Sequence, residues 1–407
     1  MHKKFRIEIA VIIFLYAIFS VISLTTLNFH IDEKESHLPT VQTFYDNAVF
    51  NAIESKGYKS ASTPLPYIIV STPLKILNIA PSLFAVRFAN IIISLITLLI
   101  FTQLIKTESK NFIYPLLILF FYPYYLKPSF AFFMSIYGLM FFLIFVYLAK
   151  PQSAGYILSA GLSLAAAVLC QQFYLIVFVF YTGYLLYQEY ITEPGTKSVI
   201  HIFYFILPFV LPIIIFLIWG GLVHPAYSAW GTAFSFSSLT GVLVTLGAVL
   251  LPYMAFNIKE IKLRELPVLL IFSLLLAVFA FPLWVNQPTI GGISGITFNF
   301  LAKVNGYSSV FSFVLKVLFC FSGISSFIVF FRKADNQKSR FIFLLYIVLA
   351  IGFSLNRLPS ERHMLPLIVT AYIFIFNRIN KNYILKYWLG YQVIIGSVYF
   401  YYIMFGY

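Results

Sequence analysis

The 407-residue chain is 61% hydrophobic and only 10% charged, with 20% aromatic residues and a mean hydropathy of +0.92. That composition excludes a soluble globular domain and fits a chain that crosses the hydrocarbon core of a bilayer many times. The formal net charge is +14, but the basic residues fall in short loops between apolar runs, so they read as topology signals and no nucleic-acid partner is expected.

The chain opens with Lys3-Lys4-Phe5-Arg6 and an apolar run over 7–27 with no small-residue cleavage pattern behind it, which reads as a retained signal anchor. Further apolar windows lie at 83–105, 112–126, 129–149, 154–170, 173–188, 199–220, 239–257, 267–285, 308–331, 340–355, 364–377 and 383–405. They predict an all-α polytopic membrane protein of about 13 transmembrane helices, organised as a single transmembrane domain over 1–407. With the N-terminus inside, most Lys and Arg fall on the cytoplasmic side, as the positive-inside rule requires. Cys170 and Cys320 sit within apolar runs, so neither a disulfide framework nor a metal cluster is expected.

The longest segment between spans is the first external loop, 28–82. Within 39–55, Val41, Phe44, Tyr45, Ala48, Val49 and Ala52 recur three and four apart, the spacing of an amphipathic helix. A second apolar stretch, 64–77, is interrupted by Pro66 and Pro73. Both suit helices lying in the membrane interface. Later external segments are 221–238, the Gly-rich 286–307 and the short 356–363. Gly291-Gly292-Ile293-Ser294-Gly295 reads either as a closing loop or as an ordinary connector.

Acidic residues are scarce, 13 in all, which narrows the search for a general base. Asp32, Glu33 and Glu35 lie together directly after the first span, and Asp46, Glu54 and Glu361 share the external side. No carboxylate falls at mid-membrane, where an ion-coupled transporter needs one. Lys316, inside a span, reads as snorkelling or paired within the bundle. The external cluster Arg357-Leu358-Pro359-Ser360-Glu361-Arg362-His363 reads either as a polar loop or as an anion clamp, since guanidinium donors match phosphate oxygens. His30 and His37 read as hydrogen-bonding groups. A divalent cation held by them with Asp32 is an alternative that no tight ligand spacing supports.

Several motifs occur in an order that resembles a known family. They are Ile31-Asp32-Glu33 with His37-Leu38-Pro39 and Gln42, Ser62-Thr63-Pro64-Leu65-Pro66-Tyr67, and Val86-Arg87-Phe88-Ala89-Asn90. Phe120-Phe121-Tyr122-Pro123-Tyr124-Tyr125, Gln171-Gln172-Phe173-Tyr174, Trp219-Gly220-Gly221-Leu222-Val223 and Glu361-Arg362-His363 follow. Together they resemble the integral-membrane GT-C glycosyltransferases, most of all the dolichyl-phosphate-glucose glucosyltransferases. Glu361 to Leu367 also resembles a motif of bacterial polyprenyl-phosphate-sugar transferases. The chain departs from the pattern after Gly221, where His224-Pro225 stands in place of the family's Asp and His.

The resemblance implies an inverting hexosyltransferase that takes a sugar from an undecaprenyl- or dolichyl-phosphate donor to a glycan, lipid or protein acceptor. It implies Asp32 as the base with Glu33 beside it, and Arg362, His363 and Arg357 on the donor phosphate. His37, Gln42, Gln171 and Gln172 would contact acceptor or sugar. No cofactor is firmly implied. Asp32 and Arg362 are expected to face one cavity, a sugar-phosphate headgroup apart. The compact, Ile-, Phe- and Lys-rich chain favours a bacterial inner membrane with a periplasmic active face, over an endoplasmic-reticulum membrane with a lumenal one. The alternative class is a lipid-linked sugar flippase or other multi-span transporter.

Overall fold

The structure is a computed structural model that describes residues 2–25, 32–105, 112–149, 153–192, 196–227, 236–279, 295–355, 361–379 and 381–405. All regular structure among the described residues is helical. Five helical stretches there are long and apolar enough to cross a membrane: Leu83–Leu104, Val199–Trp219, Ser238–Glu260, Ser309–Lys333 and Gln337–Ser354. The polytopic all-α expectation holds in this form. The thirteen apolar windows do not all become long helices, because several, such as Ala154–Val168 and Leu365–Phe376, are shorter.

A clear departure from the expected spans falls at 112–149. In place of two straight spans there are short helices, among them Pro123–Phe130 and Ser135–Leu148, which meet at a bend of 114°. The pair counts as a sixth span if its members form one broken crossing, or as a re-entrant loop. Pro128 lies inside the first helix and lacks the N–H that an undisturbed ladder needs. Between the first helix and Leu83–Leu104, the described residues form helices at Leu38–Asp46 and Leu65–Ile76. The stretch expected as one helix over 39–55 is broken after Asp46. Asn47 is extended there, its side chain turning back onto the Thr43 carbonyl at 2.9 Å, and a short helix resumes at Val49–Glu54.

The chain folds into two compact units, each assembled from segments distant in sequence. The first comprises 1–106, 119–229 and 395–407, and the second 107–118 and 230–394.

The first unit has an aromatic core. Tyr16, Phe120, Phe130 and Tyr125 pack together, with the Tyr16 and Tyr125 hydroxyls 3.0 Å apart. Within the segment that follows the first helix, Tyr58 and Tyr67 are buried against Phe44. Thr40 and Thr43 tie helix Leu38–Asp46 to the next turn, Thr40 accepting from the Lys59 N–H at 3.1 Å and Thr43 donating to the Gly57 carbonyl at 3.1 Å.

The second unit is built on helices Phe236–Asn257 and Ser309–Lys333, which approach until their backbones touch. A Cβ added at Gly247 would lie 1.7 Å from the Phe319 carbonyl oxygen, and one at Gly323 would lie 2.1 Å from that of Leu243. Only glycine permits this approach, and it is how apolar helices gain dispersion energy where lipid offers no hydrophobic drive. Leu243, Val244, Ala248, Phe319 and Cys320 close the core around the crossing. Lys316 is buried in the same helix as Gly323.

Candidate functional site

Asp32 and Glu33 begin the helical segment after the first helix, and a π-turn runs through Glu33–His37. Such wide turns direct consecutive side chains in ways that a straight α-helix does not. Asp32 is half-buried, whereas Glu33 is fully buried. The Glu33 carboxylate accepts from Arg87 Nε at 3.0 Å and Arg87 Nη2 at 2.7 Å, and from the Phe132 N–H at 2.7 Å. Arg87 is itself buried and donates through Nη1 to the Ser23 carbonyl at 2.7 Å.

This node joins four stretches distant in sequence: the end of the first helix, the π-turn, helix Leu83–Leu104 and the bend at 131–134. Asn90, one helical turn after Arg87, extends it by donating to the Pro128 and Ala131 carbonyls at 2.8 and 2.7 Å. A bidentate guanidinium–carboxylate pair with a third backbone donor satisfies the desolvated charges, as burial requires. Glu33 is therefore held as an anchor on both carboxylate oxygens, whereas its neighbour Asp32 is half-buried.

His37, at the end of the π-turn, sits with Nδ1 2.9 Å from the Tyr67 hydroxyl, which donates to Ser60 Oγ at 2.6 Å. The 60–67 segment also meets the break between helix Ala154–Val168 and the helix beginning at Leu175. Thr63 donates to the Val168 carbonyl at 2.8 Å, the Leu65 N–H to Leu169 at 2.9 Å, and Gln172 Nε2 to the Ala61 carbonyl at 3.1 Å. His37 and Gln172 are thus brought onto one scaffold. Gln171 is buried next to it, its side-chain oxygen without a hydrogen-bond partner among the described residues. The buried Tyr137 and Tyr174 hydroxyls share that condition.

Gln42 differs in being exposed, its amide donating to both Asp46 carboxylate oxygens at 2.9 and 3.0 Å on the same helix. His224 is buried against Tyr58 and Trp219 and accepts the Ala226 N–H at 3.3 Å. Burial disfavours its charged form and pulls its pKa below the usual histidine value.

In the second unit, Glu361–Met364 forms a 3₁₀ turn leading into helix Leu365–Phe376, and His363 is half-buried within it. Arg357 and the side chain of Arg362 lie outside the described residues, as do His30 and Gly291 to Ser294. The expectation that Asp32 and Arg362 face one cavity falls there too. Among the described residues, no three His, Cys, Asp or Glu side chains gather to hold a metal ion.

No family model matches the sequence, and no curated protein matches it. One solved structure is similar: the crystal structure of ArnT from Cupriavidus metallidurans in the apo state. The alignment has a TM-score of 0.42 and 12% identity, and covers 97% of this chain and 78% of that one.

The sequence singles out Asp32 and Glu33 but does not show the partners that fix Glu33. Arg87 was visible as part of Val86-Arg87-Phe88, and an arginine in a helix otherwise this apolar is itself a signal of a buried acid. Nothing in the local sequence marks the Phe132 N–H or the Tyr67 hydroxyl.

Proposed function

We propose that the chain is an inverting glycosyltransferase that moves a sugar from a polyprenyl-phosphate donor to an acceptor hydroxyl. The observation that carries this reading is the pairing of a half-buried Asp32 with a fully buried, arginine-bound Glu33. The anchored carboxylate fixes the segment while its neighbour stays within reach of solvent and substrate, which is what a general base requires. The ordered motif resemblance to GT-C enzymes supports the same assignment.

In this mechanism Asp32 takes the proton of the acceptor hydroxyl as that oxygen attacks the anomeric carbon. The bond from that carbon to the phosphate oxygen breaks with its electron pair staying on phosphate, and the configuration inverts. Arg362, with His363 and Arg357, stabilises the charge on the departing polyprenyl phosphate. His37, the buried Gln171 and the half-buried Gln172 form the polar side toward the sugar or acceptor, and Gln42 contributes from the loop surface. The donor lipid is undecaprenyl phosphate in a bacterial inner membrane, with chemistry on the periplasmic face.

The test is to incubate purified protein with a panel of polyprenyl-phosphate sugars and follow release of polyprenyl phosphate by mass spectrometry. At least one donor should be consumed, and Asp32→Asn should stop consumption while leaving the thermal melting curve in place. A folded protein that consumes none of them, or a fully active Asp32→Asn variant, would overturn the reading.

A further inference from the structure

His37 has two ring nitrogens, and which of them carries the proton decides what the ring can meet. Nδ1 lies 2.9 Å from the Tyr67 hydroxyl. A tyrosine hydroxyl has one proton to give, and Tyr67 gives it to Ser60 Oγ at 2.6 Å. Ser60 Oγ also accepts the Ser62 N–H at 3.0 Å. With two donors converging on Ser60, the hydrogen between His37 and Tyr67 has to come from the ring.

The parts that set this order are held by packing. Tyr67 and Ser60 are both buried, and the Tyr67 ring stacks on Phe44 at 6.2 Å with the planes 7° apart. Two further rings meet the imidazole edge-on, Phe132 at 5.9 Å and Phe133 at 5.7 Å, with interplanar angles of 83° and 77°. Phe132 is also the residue whose N–H binds the Glu33 carboxylate. One bend therefore fixes both ends of the π-turn, Glu33 through its oxygens and His37 through its ring plane.

We propose that Tyr67 is a positioning residue that fixes His37 with its proton on Nδ1, so that the neutral ring works through Nε2 as a hydrogen-bond acceptor. An acceptor needs a donor opposite it. The phosphate of the lipid donor offers only acceptor oxygens, whereas a sugar offers hydroxyls. His37 therefore meets a hydroxyl of the transferred sugar and not the phosphate. That choice of ligand rests on the transferase reading; the placement of the proton does not.

The experiment uses the purified full-length protein labelled with nitrogen-15 histidine, the His37 signals being identified by their loss in His37→Gln. At about pH 8, above the ordinary imidazole pKa of about 6.5, the wild type should show a protonated Nδ1 and an unprotonated Nε2. Ser60→Ala removes the acceptor of the Tyr67 proton and lets that proton turn to Nδ1, and Tyr67→Phe removes the hydroxyl altogether. Both should move the ring proton towards Nε2, which a merely structural role for Tyr67 would not do. A protonated Nε2 in the wild type overturns the proposal, as does the wild-type pattern persisting in Ser60→Ala. With a donor that the protein consumes, Ser60→Ala should raise KM about fivefold, the scale of one neutral hydrogen bond. Inhibition by polyprenyl phosphate, which carries no sugar, should stay unchanged. An unchanged KM, or weaker inhibition by polyprenyl phosphate, overturns the choice of a sugar hydroxyl. If no donor is consumed, the transferase reading fails, and the nitrogen signals still decide where the proton lies.

Discussion

Arg87 and Glu33, 54 positions apart in sequence, meet side-on with both carboxylate oxygens bound and neither side chain exposed beyond 2%. Removing one partner leaves a buried charge without its counter-ion, and such changes cost about 3–5 kcal/mol. Arg87→Met should therefore lower the unfolding midpoint of the detergent-solubilised protein sharply, and Glu33→Gln should do so as well. The double variant Arg87→Met with Glu33→Leu should lose less than the sum of the two single changes, since it strands no charge. Additive losses would mean that the pair is not coupled.

The hydroxyl of Tyr67 bridges His37 and Ser60. Tyr67→Phe keeps the ring stacked on Phe44 but deletes both hydrogen bonds, for a net loss of about 1 kcal/mol per bond. If His37 contacts substrate, the same variant should raise KM for the sugar donor more than it lowers kcat. A change in kcat alone would place His37 away from the substrate.

Gly247 and Gly323 hold two helices with their backbones touching. Gly247→Val should force the helices apart and reduce the yield of folded, monodisperse protein, because neither the Phe319 nor the Leu243 carbonyl is at the tip of a flexible side chain. Gly390, which has open space around it, is the matched control. Gly390→Ala should raise stability slightly through helix propensity.

His224 is buried and its pKa is lowered by desolvation. The unfolded chain binds this proton more readily, so the folded state is favoured in full above about pH 6.5, the ordinary histidine value. That advantage is lost as the pH falls through the folded pKa. Melting curves recorded between about pH 7.5 and 5.5 should show decreasing stability on acidification. His224→Gln should show a shallower decrease over the same window.

The sequence revealed what depends on local composition and period. Apolar runs gave the membrane character and five of the helical stretches, and the three-four spacing from Val41 to Tyr45 gave the helix Leu38–Asp46. The break at Asn47 was hidden because the apolar spacing continues through Ala48, Val49 and Ala52, and spacing alone does not register a side chain that caps its own helix. At 112–149 hydropathy could not distinguish one bent pair from two straight spans, since both bury the same residues. For Glu33, the carboxylate was found by scarcity. Its role was not, because the guanidinium and the amide that bind it come from Leu83–Leu104 and from the bend, and only the folded chain brings them together.

The bend at 131–134 also constrains the order in which the chain is assembled. A helix that stops inside an apolar medium strands amide and carbonyl groups that lipid cannot satisfy. Here the Phe132 amide is met by Glu33, and the Pro128 and Ala131 carbonyls by Asn90. Glu33 and Asn90 both precede the bend in the chain and leave the ribosome before it. The hairpin from Pro123 to Leu148 can then settle as it emerges, against a template already in the bilayer. A circular permutant that moved residues 1–106 behind it would have to hold those groups unpaired until synthesis was complete.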